Sequence, residues 1–268
     1  MQVVLDVLLL FVLGGLGGLL AGLLGIGGGI IYVLIFSHFL KQYDYSNQQI
    51  VSAIVANSMF AILFAGLSGS FKQWRINNFY PKQIIITGIS ATIASIFFSY
   101  IISKSTWYTK EQFNWLFIGL LVFIVYRLFM QRNKPINTKD VDANRIQLIA
   151  TGLCSGTIAA FSGIGGGVVI VPILSDWIKM PIKKATSISL GVISIMAVFT
   201  SIYNALIHAS ISESSIPLIQ YHLALPVAIG SLIAAPYGVN IANKLKANQI
   251  RIIFILFIIL VITKMLLF

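Results

Sequence analysis

The chain has 268 residues, of which 58% are hydrophobic and only 9% are charged. A soluble domain carries about 25% charged residues, so this composition predicts an all-α polytopic membrane protein. Apolar runs of about 20 residues exclude a β-barrel, whose alternating segments are about ten residues long. The formal net charge of +11 would suggest nucleic acid in a soluble protein. Here the basic residues lie between apolar runs, where topology and lipid headgroups account for them.

The first apolar run is interrupted by a cluster of glycines. It covers residues 3–40 and contains Gly25-Ile26-Gly27-Gly28-Gly29. A run of this length is too long for one crossing of about 20 residues and short for two crossings with a loop. Four glycines in five residues disfavour a continuous helix. We therefore predict a break at membrane depth, followed by apolar runs at 48–70, 81–103 and 113–130.

The pattern then begins again. A polar stretch from Gln131 to Arg145 is followed by apolar runs at 146–178, 184–208, 218–241 and 250–267. The first of these contains Gly163-Ile164-Gly165-Gly166-Gly167, and a small residue precedes each glycine cluster by seven positions (Gly18 and Gly156). We predict an N-terminal repeat (residues 1–130), a linker (residues 131–145) and a C-terminal repeat (residues 146–268).

The distribution of lysine and arginine favours a hairpin for each interrupted segment. If the segment crossed the membrane once, nine basic residues would lie on each side. If it enters and returns, fourteen lie on one side and four on the other, as the positive-inside rule expects. Each repeat is then a hairpin plus three crossings, so the repeats are inverted. This topology places both termini outside the cell membrane and the linker in the cytoplasm.

The hairpin tips predict an anion site. A short helix begins after each glycine cluster, and its first N–H groups and dipole attract negative charge. None of the seven acidic residues falls in the middle of a predicted span, which disfavours a cation site. No metal or cofactor is expected. Close helix packing is the alternative explanation of the glycines. The candidate substrate-binding residues are Gly25, Gly27, Gly28, Gly29, Gly163, Gly165, Gly166, Gly167, Ser162, Asn57, Ser58, Thr186 and Ser187.

The polar side chains of this set have simpler interpretations as well. Serine and threonine, including Ser189 on the same segment, commonly bond the carbonyl four residues back. Asn57 is equally well explained by an interhelical hydrogen bond. His208 and His222 flank a predicted outside loop, where they either relay a proton or are ordinary interfacial residues.

The duplicated glycine hairpin resembles the TauE/SafE-type sulfite exporter family, also called the toluenesulfonate uptake permease family. Further elements of the resemblance are Val171-Pro172, Lys184-Ala185-Thr186-Ser187 and Trp74-Arg75. The resemblance covers essentially the whole chain and implies transport of sulfite, sulfonates or related organic anions. Two departures are Leu34, where the family often has proline, and Val51-Ser52, which we align with Thr186-Ser187.

The sequence therefore predicts a secondary transporter that exports small anions by alternating access. An anion or small-solute channel and a non-transporting membrane partner protein are the alternatives. An enzyme is not expected, because no nucleophile–base pair, metal-ligand cluster or P-loop is present. The expected partners are a small anionic substrate and membrane lipids, with a homo-oligomer left open and nucleic acid not expected.

Overall fold

The computed structural model describes residues 2–46, 49–105, 107–130, 142–211 and 217–245, with scattered residues between 249 and 263. The described chain is helical, as the composition predicts. Most of the linker and part of the run at 250–267 lie outside the described residues. The α-helices are α1 (Gln2–Leu24), α2 (Gly29–Phe39), α3 (Gln49–Arg75), α4 (Pro81–Lys104), α5 (Lys110–Met130), α6 (Arg145–Ser162), α7 (Gly167–Pro172), α8 (Ile182–Ile211) and α9 (Tyr221–Lys244).

Five of the described helices are long and apolar enough to cross a membrane. They confirm a multi-pass helical membrane protein. The most apolar stretches of α3 and α8 are 72% buried, whereas those of α1, α4 and α9 are 39–44% buried. The middle of the bundle is therefore built on α3 and α8. The five spans are Val4–Leu24, Gln49–Arg75, Pro81–Lys104, Ile182–Leu206 and Tyr221–Lys244.

Both glycine clusters break a helix, as predicted. The first cluster separates α1 from the eleven-residue α2, and the second separates α6 from the six-residue α7. A 3₁₀ turn at Leu40–Gln42 ends the first short helix. After Pro172 the second continues as a π turn at Ile173–Trp177, because proline has no N–H and disturbs the α-helical ladder.

Helix α1 packs against α9, and both helices run in the same direction. A Cβ atom at Gly14 would lie 2.3 Å from the carbonyl oxygen of Val227. One turn further along both helices, a Cβ at Gly18 would lie 2.5 Å from the carbonyl oxygen of Ser231. The glycines let the two backbones touch, which is how small residues bring membrane helices together.

The second half makes the same contact with the first. A Cβ at Gly152 on α6 would lie 2.4 Å from the carbonyl oxygen of Thr87 on α4, and a Cβ at Gly156 would lie 2.1 Å from that of Ala91. These glycines follow Gly14 and Gly18 by 138 positions, and Thr87 and Ala91 precede Val227 and Ser231 by 140 positions. The α1–α9 and α4–α6 pairs are therefore equivalent contacts with the halves exchanged.

The inner helices fix the remaining directions. Helices α3 and α8 run antiparallel, since Gly66 packs on Ser194 and Gly69 on Leu190. Helix α4 runs with α8, because Gly88 meets Ile195 four residues after Ile84 meets Gly191. Helix α3 runs with α9, since the Asn57 amide contacts Leu218 and the Ala61 carbonyl contacts Ser231. Helices α1, α3 and α9 thus run one way, and α4, α6 and α8 run the other.

The close helix contacts predict how single glycines respond to substitution. Gly156→Ala should lower the melting temperature of the purified protein, because overpacking costs about 1–3 kcal/mol. Gly119→Ala on α5 is the matched control, since nothing lies within 4 Å of the Cβ added there. It should be neutral or gain up to about 1 kcal/mol from helix propensity. Equal melting temperatures for the two variants would contradict the close α4–α6 contact.

Candidate functional site

The two glycine tips meet inside the protein. A Cβ at Gly29 would lie 2.2 Å from the carbonyl oxygen of Ile164, so the start of α2 rests on the second tip. A Cβ at Gly167 would lie 2.8 Å from the carbonyl oxygen of Gly25 and from the Cα of Ile26. The second contact repeats the first with the halves exchanged. All residues of both glycine clusters are buried.

The tips share one backbone conformation. In each, three glycines have a positive φ, the left-handed region that a Cβ disfavours. The three positions are offset by 138 residues between the halves, so the same sharp turn is built twice. The φ values are 72° for Gly25, 80° for Gly27, 73° for Gly28, 67° for Gly163, 91° for Gly165 and 71° for Gly166.

The first tip presents main-chain N–H groups that have no protein acceptor. Within the described residues, the N–H groups of Gly28, Gly29 and Ile30 donate to no protein acceptor, although that of Gly25 donates to Ala21. A buried helix start without partners is unusual in a folded protein and is a favourable place for an anion.

The second tip is partly satisfied by its own chain. The Ser162 hydroxyl accepts from the Ile164 N–H at 3.3 Å and donates to the Ile158 carbonyl at 2.6 Å. The N–H of Gly167 donates to the carbonyl of Gly165. Ser162 thus stabilises the turn.

Helix α8 lines the first tip. The Cβ of Thr186 would lie 2.8 Å from a Cβ at Gly25. The Ser189 hydroxyl donates to the Gly25 carbonyl at 2.6 Å. One turn further, a Cβ added at Gly27 would lie 3.3 Å from the Cγ2 of Ile193. Residues 186, 189 and 193 form one face of α8.

Helix α3 lines the second tip in the same way. A Cβ added at Gly163 would lie 3.3 Å from Val55, and one added at Gly165 would lie 3.0 Å from the Cδ1 of Ile62. Ser58 lies between them on the same face, three residues after Val55 and four before Ile62. Its side chain is fully buried, and its hydroxyl has no hydrogen-bond partner within the described chain.

These contacts change one alignment made from the sequence. Thr186 matches Val55 rather than Val51, because each touches the first glycine of a tip. The face of α8 formed by residues 186, 189 and 193 then corresponds to residues 55, 58 and 62 of α3. Ser58 is therefore the counterpart of Ser189, and the first half contributes a hydroxyl to this face.

The other predicted polar residues make hydrogen bonds at the helix ends. The Asn57 amide nitrogen donates to the carbonyls of Ala53 and Leu218, and its oxygen accepts from the Gln220 N–H at 2.9 Å. Asn57 thus connects α3 to the segment before α9. This is the interhelical hydrogen bond given above as the alternative to ligand binding.

The first turn of α8 is tied to the segment before α4. The Ser187 hydroxyl donates to the Asn78 carbonyl, and the Asn78 amide donates to the Lys183 carbonyl at 3.2 Å. The Thr186 hydroxyl donates to the same Lys183 carbonyl at 3.0 Å. Of the predicted hydroxyls, that of Ser58 is the one with no partner among the residues that the structure describes.

A lysine and an aspartate form an ion pair at this end of the bundle. The ammonium of Lys184, whose side chain is 6% exposed, lies 2.8 Å from the carboxylate of Asp142. Gln83 donates to the same carboxylate, and the Tyr80 ring lies 4.9 Å from the ammonium. The hydrogen bond from Lys184 and its positive charge lower the pKa of the Asp142 carboxyl. The ion pair connects the end of the linker to α8.

The described residues offer little to a metal ion. They include no group of three histidine, cysteine, aspartate or glutamate side chains able to hold one. His222 contacts the hydroxyl of Tyr43 from the other half of the chain, and the side chain of His208 lies outside the described residues.

Comparison with known proteins agrees with this architecture. The family described as "Sulfite exporter TauE/SafE" matches residues 10–265. The chain belongs to the TauE/SafE sulfite exporter family. This is a family of membrane transporters, not a class of enzymes.

Relatives of similar length carry general names. A probable membrane transporter protein of Methanocaldococcus jannaschii is 26% identical over 91% of this chain and 89% of its own length. Another from Haemophilus influenzae is 24% identical over 97% of both chains. The YunE probable membrane transporter protein of Bacillus subtilis is 23% identical over 94% of both. No solved structure matches the chain.

The ion pair yields a prediction about stability. Asp142→Asn should lower the melting temperature at pH 7, because it takes the carboxylate away from a buried lysine. We expect a loss on the order of 1 kcal/mol, the upper end for a pair with one exposed partner. Lys184→Met should remove most of the effect of Asp142→Asn when the two are combined, as a double-mutant cycle measures.

The pH dependence of the same pair has a definite sign. A carboxyl with a lowered pKa in the folded protein stabilises it above the ordinary aspartate pKa. The contribution is lost as pH falls through the lowered pKa. The difference in melting temperature between wild type and Asp142→Asn should therefore shrink on acidification. A difference that grows in acid would contradict the ion pair.

Proposed function

We propose that this protein is a secondary transporter that exports small anions, such as sulfite, sulfonates or related organosulfur anions. One observation carries the proposal: two buried glycine tips from opposite halves meet, and the first presents N–H groups without protein partners. Such groups attract negative charge without a fixed cation nearby. Binding without a fixed countercharge is reversible, which suits transport. Family membership supports the same class of substrate.

The helix directions support two inverted repeats. Helices α1, α3 and α4 have α6, α8 and α9 as their counterparts, and each helix runs opposite to its counterpart. The contacts between the halves occur in equivalent pairs. Inverted repeats of this kind let a transporter exchange two equivalent arrangements around one central site. The hydrogen bonds of Asn57 to the segment before α9 and of Ser187 to the segment before α4 are then the two closures that alternate.

The proposed binding residues follow from the geometry of the tips. The glycines of both clusters bring the backbone to the anion, and Ser58 supplies a hydroxyl from α3. Asn57, Ser162, Thr186 and Ser187 use their polar groups within the protein. Ile62 and Ile193 keep the site apolar on the side of α3 and α8.

Flux through proteoliposomes tests the role of Ser58. Ser58→Ala should reduce sulfite flux about tenfold or more, because a hydrogen bond to a charged group contributes about 1.5–3 kcal/mol. Ser99→Ala on α4 is the matched control, since its hydroxyl is also buried without a described partner and α4 does not line the tips. Both variants should fold as well as wild type. Equal losses of flux would contradict a site on the α3 face.

Counterflow distinguishes a transporter from a channel. Vesicles preloaded with unlabelled sulfite should accumulate labelled sulfite transiently above the external concentration, because a carrier exchanges one bound anion for another. A channel would equilibrate the label without overshoot. Absence of any sulfite flux under both conditions would favour a non-transporting membrane partner.

The proposed orientation places the linker in the cytoplasm and both termini outside. Asn137 lies in the linker, outside the described residues. In a Cys154→Ser background, Asn137→Cys should react with a membrane-impermeant maleimide only after the cells are permeabilised. Labelling of intact cells would reverse the proposed orientation.

A further inference from the structure

Tyr32 extends from the first turn of α2 back to the first tip. Its ring crosses α1 at Gly17, where a Cβ would lie 2.2 Å from the ring carbon Cε1. Its hydroxyl reaches Gly28, where a Cβ would lie 2.9 Å from the hydroxyl oxygen. The side chain is fully buried. Because residue 17 is a glycine, there is room beside α1 for the Tyr32 ring, whose hydroxyl lies at the first tip.

The Tyr32 hydroxyl has no hydrogen-bond partner within the described residues. The hydroxyl of Ser231 on α9 faces it. Because Ser231 donates its own proton to the Ala228 carbonyl at 2.8 Å, it offers Tyr32 only an acceptor oxygen, and the two hydroxyls do not meet hydrogen-bonding geometry. Native proteins rarely leave a buried hydroxyl unpaired, and a bound species is a usual explanation. The N–H groups of Gly28, Gly29 and Ile30 lie unpaired at the same tip.

We propose that the Tyr32 hydroxyl donates a hydrogen bond to one oxygen of a small oxyanion held at the first tip. The inference rests on the proposed function and adds a specificity-determining residue to it. A phenol O–H and several N–H groups lie together at the start of α2, which suits an anion with several acceptor oxygens more than a single-atom halide.

The second half has no equivalent donor. Ile170 occupies the position 138 residues after Tyr32 and is fully buried. The two tips therefore share a backbone conformation but differ in chemistry. The first tip has the Tyr32 hydroxyl beside its own N–H groups, whereas the hydroxyl beside the second tip that has no partner in the described chain is that of Ser58 on α3.

The test is a calorimetric titration of the purified full-length protein with sulfite. Tyr32→Phe should raise the Kd for sulfite about tenfold, the change expected for one lost hydrogen bond to a charged group. The Kd for chloride should change little. The melting temperature without ligand should not fall, because the substitution removes a hydroxyl that has no protein partner.

Two further variants keep the inference falsifiable. Tyr203→Phe is the matched control, since its hydroxyl is also buried and unpartnered in the described chain. It lies ten residues beyond Ile193 on α8, about 15 Å away along the helix, and should leave the Kd unchanged. Ser231→Ala should also retain sulfite binding if Tyr32 acts on the anion directly.

Three outcomes would overturn the inference. An unchanged Kd in Tyr32→Phe refutes it while leaving the proposed function intact. An equal loss in Ser231→Ala means that Tyr32 acts by holding α9 instead of by contacting the anion. A wild-type protein that binds no oxyanion refutes the proposed function and this inference together.

Discussion

The contact between the two glycine tips is the constraint on which the rest of the structure depends. The start of α2 rests on Ile164, and the start of α7 rests on Gly25 and Ile26, with no room for a side chain at Gly29 or Gly167. Each helix start thus lies against a carbonyl oxygen of the other tip, that of Ile164 for α2 and that of Gly25 for α7. In the proposed function, the N–H groups that this packing leaves without an acceptor among the described residues of the first tip are the groups that favour negative charge.

The outer helices hold this contact in place from both sides. Helix α1 leads into the first tip and packs on α9, and helix α6 leads into the second and packs on α4. Gly18 and Gly156 are the close-approach points of these two pairs. The helix that leads into each tip packs against a helix of the other half. Neither half therefore forms the site alone. A rearrangement of one half would move both tips, which is the coupling that the proposed alternating access would require.

The helical fold and the helix breaks were predictable from the sequence, because hydropathy and glycine have strong local effects. The duplication was visible in the two glycine clusters and in Gly18 and Gly156. The site was only partly predictable. Ser58 was a candidate, but Asn57 was equally one, and their different roles depend on which face of α3 meets the second tip. A single sequence does not fix that helical phase.

Other features could be recognised only from the packing of the helices. In the sequence, Tyr32 is an aromatic residue among apolar neighbours and nothing distinguishes it. The position of its hydroxyl at the tip depends on the space left by Gly17 on a different helix. From the sequence, Ser189 is expected to bond a carbonyl of its own helix. In the structure its hydroxyl donates to the Gly25 carbonyl, which belongs to the other half of the chain. The pairing of Lys184 with Asp142 joins residues 42 positions apart. These contacts arise from tertiary structure and carry no local signature.

The most direct measurement of the central claim is a thermal-shift panel on the detergent-purified protein. The panel would compare sulfite, thiosulfate, toluenesulfonate, sulfate and acetate with Na⁺ and Ni²⁺. A ligand at about 100 times its Kd stabilises a protein by roughly 2.7 kcal/mol, enough to move the melting curve. An anion site at the tips predicts a selective rise with one of the sulfur oxyanions, lost in Gly165→Leu. A rise with a cation alone would contradict the anion site.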